Sequence, residues 1–298
     1  MPAQSNTEGS APVSVPDYAL LRDLACDVAT SAAEMIRRRR AEVFASSDDR
    51  GEGSVRSKTS ETDPVTVVDV ESETLIRESL ARLRPGDGFL GEEATGNTEG
   101  TSETGVVWVV DPIDGTVNFL YGVPAYAVSI AAQVDGRTVA GAVVDVPQGW
   151  VYSAARGQGA TVQRADQGTR ELRVSATESL GMALVSTGFG YKAERRIAQA
   201  RLAGTLLPIV RDLRRIGAAA LDLCLVAAGG LDAHVEHGLN PWDFAAGSLI
   251  AEEAGALVRI PPTSARSDQG ELVLVATPKV YHELASVLEE LGFLESIA

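Results

Sequence analysis

The stretch Trp108-Val109-Val110-Asp111-Pro112-Ile113-Asp114-Gly115-Thr116 joins an apolar run to a turn. Val106 to Val110 suits a buried strand that delivers Asp111 to its end. Pro112 cannot continue a central ladder and fixes φ, so the chain is expected to turn there. The turn can bring the Asp114 carboxylate beside that of Asp111. Gly115 permits close backbone approach, and Gly115 and Thr116 can open a helix whose free N–H groups attract an anion. Pro and Asp-Gly are also ordinary turn residues, so the stretch alone leaves a plain turn equally open.

On the N-terminal side, helical spacing of Leu20, Leu21, Leu24, Val28, Ala32 and Met35-Ile36 predicts a helix from about Asp17 to Ala45. A second helix is expected from Pro64, with Asp63 as N-cap, ending before Pro85-Gly86. On the C-terminal side, strands are expected at Tyr126–Val134, Thr138–Val146 and Val151–Ala155, with Asp135-Gly136 as a hairpin signal. Strands at Met182–Ser186, Ala233–Glu236 and Leu272–Ala276 then alternate with helices at Glu194–Leu207, Ala218–Ala228, Pro241–Ala254 and Pro278–Leu291. The order is α+β followed by α/β, in two packed subdomains of about 17–180 and 181–298 behind a polar, disordered tail at 1–16. Polar stretches at Ser46–Asp63, Ala94–Gly105 and Pro261–Gly270 read as surface excursions.

The 298 residues include 26 Lys+Arg and 41 Asp+Glu, a formal net charge of −15, which argues against a general nucleic-acid binder. With 45% hydrophobic and 22% charged residues the chain is ordinary globular material, and no apolar run of about 18 residues offers a membrane span. The first residues lack a basic start and an apolar core, so no signal peptide is read and the cytoplasm is the default. Cys26 and Cys224 lie far apart in apolar helical patterns, which disfavours a disulfide framework or a structural zinc site.

Four acidic clusters fall at element ends: Asp69, Glu92-Glu93, Asp111 with Asp114, and Asp243 behind Asn240-Pro241. Singly each has a structural account: Asp243, for instance, suits the first turn of a helix capped by Asn240. If they converge, their repulsion must be offset, and divalent metal does so without protonation. Carboxylate and carbonyl oxygens without His or Cys select Mg²⁺ over zinc, and several carboxylates can hold two or three ions and clamp a phosphate. There is no GxxxxGK[ST] loop, GxSxG elbow or GxGxxG fingerprint.

Four motifs in order, Asp63-Pro-Val-Thr-Val-Val-Asp69, Gly91-Glu-Glu93, Trp108-Val-Val-Asp-Pro-Ile-Asp-Gly-Thr116 with Asn118-Phe119, and Pro241-Trp-Asp-Phe-Ala-Ala-Gly247, resemble the inositol monophosphatase family from about Tyr18 to Leu291. The resemblance implies a layered αβαβα sandwich, Mg²⁺ dependence, lithium inhibition and a homodimer. It implies that Glu92, Asp111, Asp114, Asp243 and the Ile113 carbonyl hold the metal. Glu92 and Thr116 would orient and activate the attacking water, and Asp69 would support the threonine. The substrate side would take in Gly115 at the phosphate and Gly217, Ala218, Ala219 and Glu236 at the inositol ring.

The implied activity is hydrolysis of inositol 1-phosphate, a phosphoric monoester, to myo-inositol and phosphate. Glu236 suits a polyol because a carboxylate accepts hydrogen bonds from vicinal hydroxyls. The alternative is histidinol phosphate, whose branch is suggested by Gly238-Leu-Asn-Pro-Trp-Asp243. A different class of function, a regulatory or binding protein, is raised by Arg37-Arg38-Arg39-Arg40, since four consecutive Arg cover all sides of a helix. His234, His237 and His282 have no metal-like arrangement, and Trp108 and Trp242 read as packing beside the site.

Overall fold

The computed structural model describes residues 16–44, 55–57, 64–93 and 101–297. Residues 1–15 of the expected tail at 1–16, the Asp63 cap, most of the 46–63 excursion and residues 94–100 lie outside the described residues. In chain order the elements are α1 Tyr18–Val43, β1 Val55–Ser57, β2 Pro64–Thr66, α2 Val67–Leu83, β3 Gly88–Gly91, β4 Val106–Asp114, α3 Thr116–Tyr121, β5 Ala127–Val134, β6 Arg137–Asp145, β7 Trp150–Ala155, β8 Ala160–Arg164 and β9 Gly168–Glu171. Then follow β10 Leu184–Thr187, α4 Ala193–Leu206, β11 Asp212–Arg214, α5 Ala219–Ala227, β12 Ala233–His237, α6 Pro241–Glu253, β13 Leu257–Arg259, β14 Leu272–Ala276 and α7 Pro278–Glu290.

Strands β3 to β9 form one sheet in sequence order, antiparallel except for the β3–β4 pair. A second, mixed sheet has the order β11-β10-β12-β14-β13. Helix α1 lays Leu21, Ala25, Val28, Ala32 and Ile36 against the outer face of the first sheet, where α2 adds Ile76 and Leu80. Leu20, expected on that face, is 48% exposed, because the buried stripe is centred one residue further round. Helices α5 and α6 fill the space between the sheets with Leu223, Phe244, Leu249 and Ile250. Helices α4 and α7 cover the far side of the second sheet. The layers are therefore αβαβα, and among the described residues no helix is long and apolar enough to cross a membrane.

Two boundaries differ from expectation. Pro64 pairs in a strand with Ser57 instead of opening α2. Thr66 caps α2, accepting from Val68 and Asp69 N–H, while Asp69 reaches back to Thr66 N at 2.9 Å, a capping box that fixes the start three residues later. Strand β4 does not stop at Asp111. Its ladder to β3 ends at Val110, and its pairing with β5 skips from Asp111–Ser129 to Asp114–Ala127, so Pro112 sits in a bulge where no ladder N–H is needed.

The Arg37–Arg40 run is largely absorbed by the fold. Arg37 donates to Val146 O at 2.9 Å, Arg39 pairs with Glu71 and Glu42, and Arg40 donates to Phe119 O beneath the Phe44 and Phe119 rings. A run tied to three other segments is poorly suited to act as a free basic patch.

Candidate active site

A cavity of about 500 Å³ opens where the ends of both sheets meet, and Glu92, Asp111, Ile113, Asp114, Gly115, Thr116, Gly217, Ala218, Ala219, Glu236 and Asp243 all line it. Asp69 does not; it stands behind Thr116. The bulge in β4 turns Asp111 and Asp114 to the same side, and Ser72 Oγ holds the Pro112 carbonyl at 3.2 Å. Gly115 has φ +89°, and a Cβ there would stand 3.0 Å from Ala125 O and 3.1 Å from Gly217 O, so only glycine lets α3 start this close to the second half of the chain. Asn118 Nδ2 secures that approach through Ala125 O and Ile216 O.

Backbone N–H groups orient Asp111, Asp114 and Asp243. Asp111 Oδ1 accepts from Ile113 N at 3.0 Å. Asp114 accepts from Ala219 N and Ala220 N at 3.2 and 2.7 Å, closing the start of α5 with a residue from the opposite sheet. Asp243 Oδ2 accepts from Asn240 N at 2.7 Å, the capping box of α6. Glu92 follows β3, where Glu93 N donates to the fully buried Glu73, itself paired with Arg77. Thr116 Oγ1 lies 3.1 Å from Asp69 Oδ1 and 3.0 Å from Ile113 O. Asp69, whose place in a helical pattern suggests a solvated acid, is fully buried because the capping box turns it inward.

Burial pushes Asp111 well above the usual carboxylate range, and the charges of Glu92, Asp114 and Asp243 push it further. Asp243 is raised for the same reasons, burial first and then Glu92 and Asp114. Asp114 is raised to about 7 by burial, with the Ala220 N–H opposing. Such mutual repulsion is relieved by a cation. The donors are carboxylates plus the Ile113 carbonyl, with no His or Cys lining the cavity, which fits a hard, oxygen-seeking divalent ion. Among the described residues no group of three such side chains is already drawn in around one point.

The opposite wall holds further residues to which the sequence assigns no individual role. Arg215, Lys192 and the buried Arg195 bring positive charge, and Asp222 brings another carboxyl. Ser267 and Asp268 also reach the cavity, because Arg195 grips their carbonyls and pulls in a segment expected to lie at the surface. The available signal for Asp222 was a lone acid in the apolar helix Ala219–Ala227. Glu236 is pushed up to about 8 by burial, opposed by Arg215. Its carboxyl lies over Gly188, where a Cβ would come within 2.0 Å of Oε2.

Residues 17–292 match the family model described as inositol monophosphatase family. An inositol-1-monophosphatase of Mycobacterium leprae is 53% identical over 280 residues, 93% of this chain and 96% of that protein. A solved structure, Mycobacterium tuberculosis SuhB, is 49% identical with TM-score 0.78, covering 94% of this chain and 99% of its own. The Nus factor SuhB of Escherichia coli is 42% identical over 197 residues, 66% of this chain and 71% of that protein.

Proposed function

Because this chain belongs to the inositol monophosphatase family, a family of phosphatases, we propose that it hydrolyses inositol 1-phosphate to myo-inositol and phosphate with Mg²⁺. The observation that carries this reading is the oxygen-only donor set of Glu92, Asp111, Ile113, Asp114 and Asp243 on one wall, facing Glu236 on the other. Bound there, two or three Mg²⁺ would supply Lewis acidity toward the phosphoryl oxygens and acidify a water. The Thr116 hydroxyl, donating to Asp69 or to Ile113 O, keeps lone pairs that accept from that water and hold it in line with phosphorus. Glu92 takes its proton. Asp69 is a positioning residue for Thr116. Gly115 admits the phosphate close to the backbone, and Gly217, Ala218 and Ala219 leave room for the ring. No enzymic nucleophile is needed. The reading includes a cytoplasmic homodimer and inhibition by Li⁺.

A substrate panel with Mg²⁺ tests it. Inositol 1-phosphate is expected to exceed histidinol phosphate in kcat/KM, and Li⁺ to inhibit. A large preference for histidinol phosphate moves the assignment to that ester. The Escherichia coli relative is called a Nus factor, but the Arg37–Arg40 run offers no support for a binding role here, since three of its four side chains are engaged within the fold.

Gly188→Ala probes the sugar side without touching the carboxylate wall. The new methyl group must displace the Glu236 carboxyl, a flexible side-chain end, so the protein still folds. KM for inositol 1-phosphate is expected to rise roughly tenfold, with the loss in kcat smaller. A KM within about twofold of the parent would mean that Glu236 does not hold the ring.

A further inference from the structure

Behind Glu236 a buried polar group spans three elements. Ser186 on β10 and His234 on β12 are register partners on neighbouring parallel strands, and both are fully buried. Ser186 Oγ lies 2.9 Å from His234 Nδ1. His234 Nε2 lies 3.7 Å from Glu236 Oε2 and has no hydrogen-bond partner. Asp222, on α5 and 1% exposed, lines the cavity, and its Oδ1 also has none. Ser186 stands close enough to Asp222 to oppose the rise that burial and the Glu236 charge impose on that carboxyl.

Burial holds the His234 imidazole neutral, with a pKa near 3, so it has one donor and one acceptor nitrogen. With Nδ1 engaged by Ser186, Nε2 is left to act on the Glu236 side. Buried polar atoms are nearly always paired, and a pure packing cluster would have closed these two bonds internally. Here His234 Nε2 faces the carboxyl of this wall assigned to ring hydroxyls, and Asp222 lines the same cavity.

We propose that Asp222 is a second carboxylate that accepts hydrogen bonds from the hydroxyls of a polyol monophosphate, beside Glu236, and that the Ser186–His234 pair positions both. The inference rests on the reading of Glu236 given above. One carboxylate can take a vicinal pair of hydroxyls, and a second carboxyl at a fixed place on the same wall adds acceptors for further hydroxyls of the same ring. Phosphate esters with few hydroxyls would gain nothing from the second acceptor.

The test compares kcat/KM for inositol 1-phosphate with that for glycerol 2-phosphate, as a ratio, in Asp222→Asn, Ser186→Ala, His234→Phe, His234→Gln and Glu236→Ala. Asp222→Asn is expected to lower the ratio about tenfold, chiefly through KM for the inositol ester. Ser186→Ala, the mildest change to the buried pair, should move the ratio in the same direction. His234→Gln, which restores a polar atom near the Nε2 position, should recover more of the ratio than His234→Phe. A purely structural role would lower melting temperature and both substrates together, with the ratio unmoved, and would overturn the proposal. If Glu236→Ala lowers the ratio and Asp222→Asn does not, this inference fails while the Glu236 reading stands. If Asp222→Asn lowers it and Glu236→Ala does not, Asp222 is the ring contact and the Glu236 reading fails.

Discussion

Asp111→Asn is expected to lower kcat/KM for inositol 1-phosphate by about 10³-fold or more, while the metal-free protein melts no lower than the parent. The loss follows from removing a ligand charge where several kcal/mol of transition-state stabilisation are concentrated. The retained stability follows from the same burial: Asp111 is surrounded by Glu92, Asp114 and Asp243, so its charge is a liability in the absence of a cation. The asparagine keeps an oxygen for the Ile113 N–H. Near-parental turnover in this variant, or full activity of the parent in EDTA, would refute the metal mechanism. The pH dependence has a definite sign. Asp114 is raised to about 7, above its unfolded value, so the folded state holds its proton more tightly. The stability linked to that proton is complete below the unfolded pKa and is lost as pH rises through about 7. In EDTA the melting temperature should therefore fall from pH 5 to pH 8, roughly the span around that titration, and Mg²⁺ should remove most of the fall. An EDTA profile that rises over this span would contradict the electrostatic account.

Thr116→Ala carries the second-largest expected effect, a fall in kcat of about 10²-fold with KM little changed. The hydroxyl is held at 3.1 Å from Asp69 and 3.0 Å from Ile113 O, so it is pre-set before substrate arrives. Its removal leaves the carboxylate wall intact and costs only the alignment of the nucleophile. Thr116→Ser should recover much of the rate, because the hydroxyl returns without the methyl. A rise in KM with kcat retained would place Thr116 on the binding side and remove the water from its care.

Much of the carboxylate wall was legible because each acid sits where an element must begin or end. Asp111 and Asp114 flank Pro112, Asp243 follows Asn240-Pro241, and Glu92 follows Gly91. Strand β14 reads directly as Leu272–Ala276, an apolar run buried on both faces. Strand β9 did not, since Gly168–Glu171 is exposed throughout and is a strand only through its ladder to β8. The start of α2 was misread because Pro64 is a common first helical residue, whereas the Thr66–Asp69 capping box decides the matter. Asp222 carries no individual role in the sequence, where it is a lone acid among the Ala, Leu and Cys of α5. Ser186 and His234 come from two different strands, which only the ladder of the second sheet brings together.

The central helices α5 and α6 are shared property of both sheets: Asp114 of the first sheet closes the start of α5, and α6 packs beneath β5, β6 and β7. Division near residue 180 would strip the first sheet of its inner cover and leave two apolar helices facing water. We propose on this ground that the segments 17–180 and 181–298 are inseparable in unfolding, so that heat or denaturant produces one transition rather than two. A protease that nicks the connection would then yield fragments that either stay clasped together or precipitate. Gene fusion or exchange at that point would not deliver a working half, because Asp243 and Glu236 come from one segment and Glu92, Asp111 and Asp114 from the other.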